Sequence, residues 1–283
     1  MATTIRLDEA LTATSGVYVD ATALVASHQS PFQLIEIFDT PDWGRLMRID
    51  GVNMTSTRDE FFYHENLIHP AAIAHPQPER ALIIGGGDGG AAEELLKYSS
   101  IVSCDLCELD GTVIEMAKTY LADIHHNIFA DPRLHVTIGD GVAFVNTTSA
   151  RYDLIYLDLT DPTDEAAALY TPDFYRRCQR ILNHGGALTL HIGSPFSHPD
   201  RVKAAISSLG AVFRHVVPYF VHIPTYGATW GFAVAANLLD INAIDADTVN
   251  ERLHSRHISQ RQFYNGEMHR VMQALPEYVK ALL

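Results

Sequence analysis

Basic residues are in short supply. Lys and Arg total 20 against 34 Asp and Glu, a formal charge of −14 at pH 7. Nucleic acid and anionic membrane need a basic surface, so neither is expected as a partner. A cationic substrate suits the balance, as does acidity kept for solubility alone. Cysteine is scarce too: Cys104, Cys107 and Cys178. Cys104-x-x-Cys107 has redox or metal spacing. It lies in an apparent strand with no second Cys pair or compact Cys/His cluster, so core packing is expected. His125-His126 reads as surface. Long apolar runs are missing; none approaches the roughly 18 residues of a membrane span. The N-terminus shows neither a basic region nor an apolar stretch, so no signal peptide is expected and the cytoplasm is the expected location. Internal repeats and low-complexity segments are absent as well.

What is present is a large apolar fraction. The 283 residues are 47% hydrophobic and 19% charged, enough for one large α/β domain with a small accessory unit. The chain is organised around Ala81-Leu82-Ile83-Ile84-Gly85-Gly86-Gly87-Asp88-Gly89-Gly90. Four apolar residues predict a buried strand, the glycines a tight turn, and Ala91 onward a helix. Gly85, Gly87 and Gly90 fit G-x-G-x-x-G in its strand–turn–helix context. A pyrophosphate in such a turn uses backbone N–H groups and the positive helix end. The Asp88 carboxylate would repel it, which favours a ligand bringing positive charge; the alternative is that Asp88 caps the helix or faces solvent.

Residues 1–60 read as a small antiparallel β domain, with strands at Val17–Val19, Phe32–Phe38 and Gly44–Ile49 and turns at Thr40–Asp42 and Asp50-Gly51. Gln33 is a polar residue inside the second of these. Residues 61–283 read as the catalytic domain. Asp59–Ala74 predicts its leading helix, which Pro70 should bend or interrupt. From residue 80 strands and helices alternate, predicting a parallel sheet. Strands are expected up to Glu108, over Leu134–Ile138, Leu154–Leu157 and Gly186–His191, then at Val212–Val221 and Thr229–Ala235, with a helical tail.

Acids fall at successive strand ends. Asp88 follows the first strand of this series, Glu108 ends the second, Asp140 follows the third, and Asp158 and Asp161 follow the fourth. Ligands of open α/β sheets bind at that rim. Glu108, about twenty residues after the glycine turn, is placed to accept two ribose hydroxyls. Asp140-Gly141 is suited to an adenine amino group. Asp88, Asp158 and Asp161 remain, and suggest an amine. A metal site is the competing reading, though no histidine stands at ligand spacing.

On these residues the chain resembles the polyamine aminopropyltransferases, the spermidine synthase family. The likeness runs over nearly the whole chain. It is carried by Leu46–Gly51, Arg58-Asp59-Glu60-Phe61 with Tyr63-His64-Glu65, Leu82–Gly90, Glu108-Leu109-Asp110, Gly139-Asp140-Gly141, Asp158–Pro162 and Ile223-Pro224-Thr225-Tyr226. The resemblance implies a Rossmann-like methyltransferase-type domain behind a small N-terminal antiparallel β domain, in a homodimer or homotetramer. It implies transfer of the aminopropyl group of decarboxylated S-adenosylmethionine to a primary amine, usually putrescine, giving spermidine and methylthioadenosine. The donor is a co-substrate, so neither cofactor nor metal is expected. Alkylamines have a pKa of about 10.4, leaving on the order of one in a thousand neutral at pH 7. A base must remove the proton, and Asp158 matches the family's proton acceptor. Gln33, Gly85, Asp88, Glu108, Asp140 and Gly141 match donor positions. Tyr63, His64, Asp88, Asp158, Asp161, His191 and Tyr226 match the polyamine side. Thr160–Tyr170 would form a closing loop.

Departures from the usual family pattern bear on the acceptor. Thr163–Ala167 replaces a Gly-Pro-Ala-like gate, His191 stands where glutamine is usual, and Met54 and Thr57 replace a glutamine and a glutamate. Thr229-Trp230-Gly231 is closer to the thermospermine synthase branch. Three rival functions share parts of the pattern: a methyltransferase, a nicotinamide oxidoreductase, and a non-catalytic polyamine-binding protein. Asp88 opposes the first two and Asp158 the third.

Overall fold

The computed structural model describes residues 4–161 and 164–283. Pro162 and Thr163, and with them part of the expected gate, lie outside the described residues. The β-rich N-terminal segment forms two sheets rather than one. β1 (Ile5–Ala10) and β2 (Gly16–Ala21) make a hairpin; β3 (Ala23–Gln29), β4 (Leu34–Thr40), β5 (Gly44–Ile49) and β6 (Val52–Ser56) form an antiparallel meander. Strands β1, β3 and β6 escaped the sequence reading: polar residues interrupt the apolar ones in β1 and β6, and β3 ends in Ser27-His28-Gln29. Gln33 precedes β4 instead of lying within it. The meander is not self-sufficient: Ile35, Ile37, Met47 and Ile49 share a buried cluster with Val113, Ala117, Leu121 and Ile124 of the following fold.

α1 (Glu60–Ala74) comes next, and Tyr63 to Ala74 are all buried. Pro70 does not interrupt it, contrary to expectation. Proline lacks the N–H that would bond to the Asn66 carbonyl four residues back. The Tyr219 hydroxyl donates to that carbonyl at 2.8 Å instead, so the group stays paired.

A seven-stranded sheet follows in the order β12-β13-β11-β10-β7-β8-β9. Its elements are β7 (Arg80–Gly85), α2 (Gly90–Leu96), β8 (Ser103–Glu108), α3 (Gly111–Tyr120), α4 (Ala122–His125), β9 (Leu134–Ile138), α5 (Gly141–Thr147), β10 (Tyr152–Asp158), α6 (Pro172–Ile181), β11 (Leu182–Gly193), α7 (Pro199–Gly210), β12 (His215–Ile223) and β13 (Ala228–Ala236). β7 to β11 pair in parallel, and β13 runs antiparallel between β11 and β12. The tail holds α8 (Ala246–Ser255), α9 (Gly266–Val271) and α10 (Glu277–Lys280). This is the Rossmann-like arrangement. The three cysteines are buried and unbridged, as packing residues should be. His125 is buried rather than on the surface: its ring packs on Phe129, with centroids 5.2 Å apart, and its Nδ1 accepts from the Asn127 amide.

The chain leaves β7 toward β8 and β9, then returns to build β10 and β11 on the other side. The sheet therefore splits between β7 and β10, where Gly85 stands opposite Asp158. Helices depart in opposite directions at such a point and leave a crevice at the carboxyl ends of the strands.

Candidate active site

A cleft of about 440 Å³ opens at that split. Its lining includes Gln33, Tyr63, His64, Gly85, Asp88, Glu108, Asp140, Gly141, Asp158, Asp161, His191 and Tyr226. Every residue selected from the sequence thus meets in one cavity, although they come from both ends of the chain.

The glycine turn brings α1 close. A Cβ on Gly90 would fall 2.3 Å from Cε1 of His64, so only glycine lets that ring lie against the start of α2. His64 Nδ1 meets Glu60 Oε2 at 2.7 Å, and Nε2 faces Asp88 Oδ2 at 3.3 Å. Burial disfavours the imidazolium, but Asp88 and then Glu60 outweigh it and hold the His64 pKa well above its usual 6.5. Asp88 is likewise penalised by burial, yet His64 and the Gly90 amide keep it below its ordinary range. Its Oδ1 accepts that amide at 3.1 Å, so Asp88 helps to cap α2 while also facing the cleft.

Asp158 differs. Burial first, and then the charge of Asp88, push its pKa up to about 6, although His64 and a hydrogen bond from Tyr63 pull it down. Its Oδ2 has no hydrogen-bond partner among the described residues. Its backbone is fixed by the Gly86 amide, which donates to its carbonyl at 2.9 Å.

His64, Asp88 and Asp158 place one ligand atom each within 4.8 Å of one another. The sequence showed no histidine at metal spacing because this one arrives on α1, from outside the strand series. Both imidazole nitrogens are turned to carboxylates, and a doubly protonated ring has no lone pair to donate.

Glu108 takes the Asp110 amide on Oε1 at 2.9 Å; burial, above all, raises its pKa to about 7. Asp140 spends Oδ1 on the Val142 amide at 2.8 Å, capping α5, with Gly141 as the first helical residue. Gln33 reaches the cleft through Asp110, which accepts from Gln33 Nε2 at 3.1 Å and from Ser30 Oγ at 2.6 Å. Sequence reasoning missed Asp110 as the clasp between the N-terminal sheets and the cleft, as it missed Glu60. Residues that act by holding others carry no strand-end signature.

The far wall is aromatic. Tyr226 donates to the Met54 carbonyl at 2.7 Å, and its ring meets Trp230 at 5.1 Å. Trp230 stacks with His191 at 5.8 Å. His191 Nε2 lies 2.9 Å from the Leu159 carbonyl, which can only accept, so that nitrogen carries the proton. Tyr170 Oη completes the group at 2.7 Å from it. Burial, before any charge, lowers the His191 pKa, which favours the neutral ring.

Residues 60–248 match the family model described as the spermine/spermidine synthase domain. The chain belongs to the spermine/spermidine synthase family. It is 44% identical over 275 residues to a polyamine aminopropyltransferase of Nitrosomonas europaea, covering 97% of this chain and 85% of that one. It is 38% identical over 248 residues to polyamine aminopropyltransferase 1 of Pseudomonas aeruginosa, covering 87% and 86%. A spermidine synthase solved in complex with the transition-state analogue AdoDATO superposes with a TM-score of 0.92 at 34% identity, covering 98% of this chain and 94% of that one. The spermidine synthase of Thermotoga maritima gives 0.91 at the same identity and coverage. This chain is accordingly a polyamine aminopropyltransferase, and its cleft belongs to a transferase of polyamine synthesis.

Proposed function

We propose that this aminopropyltransferase uses decarboxylated S-adenosylmethionine as donor and putrescine as acceptor, with Asp158 as the general base. The amine nitrogen attacks the propyl carbon bonded to the sulfonium. That C–S bond breaks, its electrons stay on sulfur, and methylthioadenosine leaves. The surplus proton on nitrogen passes to Asp158, giving spermidine. The sulfonium is already an activated leaving group, so the chemistry asks only for a neutral, aligned amine.

The observation that carries this reading is the position of Asp158: in the same buried cleft as Asp88 and Glu108, with a pKa near 6. A carboxylate of that strength is mostly ionised at pH 7 to 8 and still basic enough to take a proton in the transition state. Asp88 faces the region where the donor's amino end would lie. Intact S-adenosylmethionine adds a carboxylate there. The acids Glu60, Asp88 and Asp158 around the single His64 leave that corner negative, and unpaired like charges are costly in a closed site. Glu108 would accept the ribose hydroxyls, Asp140-Gly141 would meet the adenine, and Asp161 and Tyr226 would hold the acceptor.

The test is release of methylthioadenosine from the decarboxylated donor in the presence of putrescine, with intact S-adenosylmethionine as the comparison. The expected result is turnover with the decarboxylated donor alone. Methyl transfer from the intact donor would overturn the reading.

A further inference from the structure

Asp161 is not presented to the cleft as a bare carboxylate. Arg201, from the first turn of α7, pairs with it through Nη1 to Oδ2 at 2.5 Å. The Arg201 side chain lies across Gly193 at the end of β11; a Cβ there would stand 3.3 Å from its Cδ. Asp161 lines the cleft, and Arg201 stands behind it, outside the lining. The guanidinium is nevertheless felt inside: it bears on both His191 and Tyr170, which ring the same end.

We propose that Arg201 sets acceptor specificity by lowering the preference for a second ammonium at the far end of the amine. The inference rests on the aminopropyl-transfer reading above and deepens it. The acceptor's reacting nitrogen belongs at Asp158 and its other end at Asp161. An ammonium brought to Asp161 must share that carboxylate with a fixed cation. Two cations on one carboxylate stand on the order of 5 Å apart, where their repulsion at the partly screened cleft wall weakens binding about tenfold. Arg201 also holds the carboxylate still, but fixing one short side chain is worth only about a fewfold gain. The repulsion is the larger effect. Arg201 therefore narrows the advantage of a diamine over a monoamine of equal length. It touches no substrate in this arrangement and acts through Asp161.

The experiment measures methylthioadenosine release with butane-1,4-diamine and with butylamine, for the wild type, Arg201→Gln, Arg201→Met and Arg201→Lys. The ratio of kcat/KM for diamine over monoamine should rise about tenfold in the Gln and Met variants. The change should lie in KM of the diamine, with kcat nearly unchanged, and Lys should restore the wild-type ratio. A merely structural role would shift both amines together. Two neutral replacements of different polarity, checked by thermal melting, guard against loss of one variant to misfolding. An unchanged or lowered ratio in the folded neutral variants overturns the role of Arg201 while leaving the transferase reading intact. Wild-type protein that releases no methylthioadenosine with either amine overturns that reading, and this inference with it.

Discussion

Gly86 lies directly against Asp158. Its amide donates to the Asp158 carbonyl at 2.9 Å, and a Cβ added to it would stand 3.0 Å from Asp158 Oδ2. The residue also sits at φ +71°, in the left-handed region where a side chain costs roughly 1–2 kcal/mol. Gly86→Ala should therefore displace the Asp158 carboxylate. Misplacement by about 1 Å costs on the order of a hundredfold in rate. Steady-state kinetics should show a kcat loss of about that size with little change in donor KM, and calorimetry a lowered Tm.

The pH profile should report Asp158. Its folded pKa of about 6 lies above its usual 3.8. As a base it must be ionised, so kcat/KM should climb through an apparent pKa near 6, and Asp158→Asn should abolish that limb. The stability effect runs the opposite way. The folded state holds this proton more tightly than the unfolded chain does, so the stabilisation is full below the unfolded pKa and fades as pH rises through about 6. Asp158→Asn should consequently melt above the wild type at pH 8, with the gap closing toward pH 4.

Glu60 lies outside the cleft lining yet meets His64 Nδ1 at 2.7 Å. Glu60→Gln removes one of two carboxylates that favour the imidazolium. NMR titration should find the His64 pKa raised above the ordinary imidazole value in the wild type and lowered in the variant. Turnover should fall about tenfold, because Asp88 loses part of the charge that keeps it ionised.

Glu65 follows His64 in the sequence but serves a different purpose. Its carboxylate accepts the amides of Gln262 at 2.6 Å, Phe263 at 3.0 Å and Tyr264 at 2.6 Å. It ties the tail of the chain to α1. Glu65→Ala strands those donors, at a cost of roughly 3 kcal/mol. Differential scanning calorimetry should show a Tm drop of roughly 6–12 °C, while kcat of the folded protein stays within about threefold.

Much of this site was legible in advance. Asp88 and Asp158 stand at the ends of the apolar runs of the buried strands β7 and β10, Glu108 and Asp140 at the ends of the mixed strand β8 and the largely exposed β9, and parallel pairing brings all four ends to one rim. The harder parts depend on approach in space. Asp110, Glu60 and Arg201 act by gripping Gln33, His64 and Asp161, and no periodicity marks such pairs. Pro70 misled for a related reason: the Tyr219 hydroxyl that satisfies Asn66 comes from a strand some 150 residues later. His64 was legible as a family position, but not as an imidazolium wedged between two acids.

The most direct test is a single-turnover comparison of wild type and Asp158→Asn, with saturating decarboxylated donor and putrescine, alongside calorimetric measurement of donor binding. Removal of the base should slow methylthioadenosine formation by about 10²- to 10⁴-fold, with donor affinity kept within about tenfold. A variant that turns over within a fewfold of the wild type would contradict the assignment of Asp158 as the group that takes the proton.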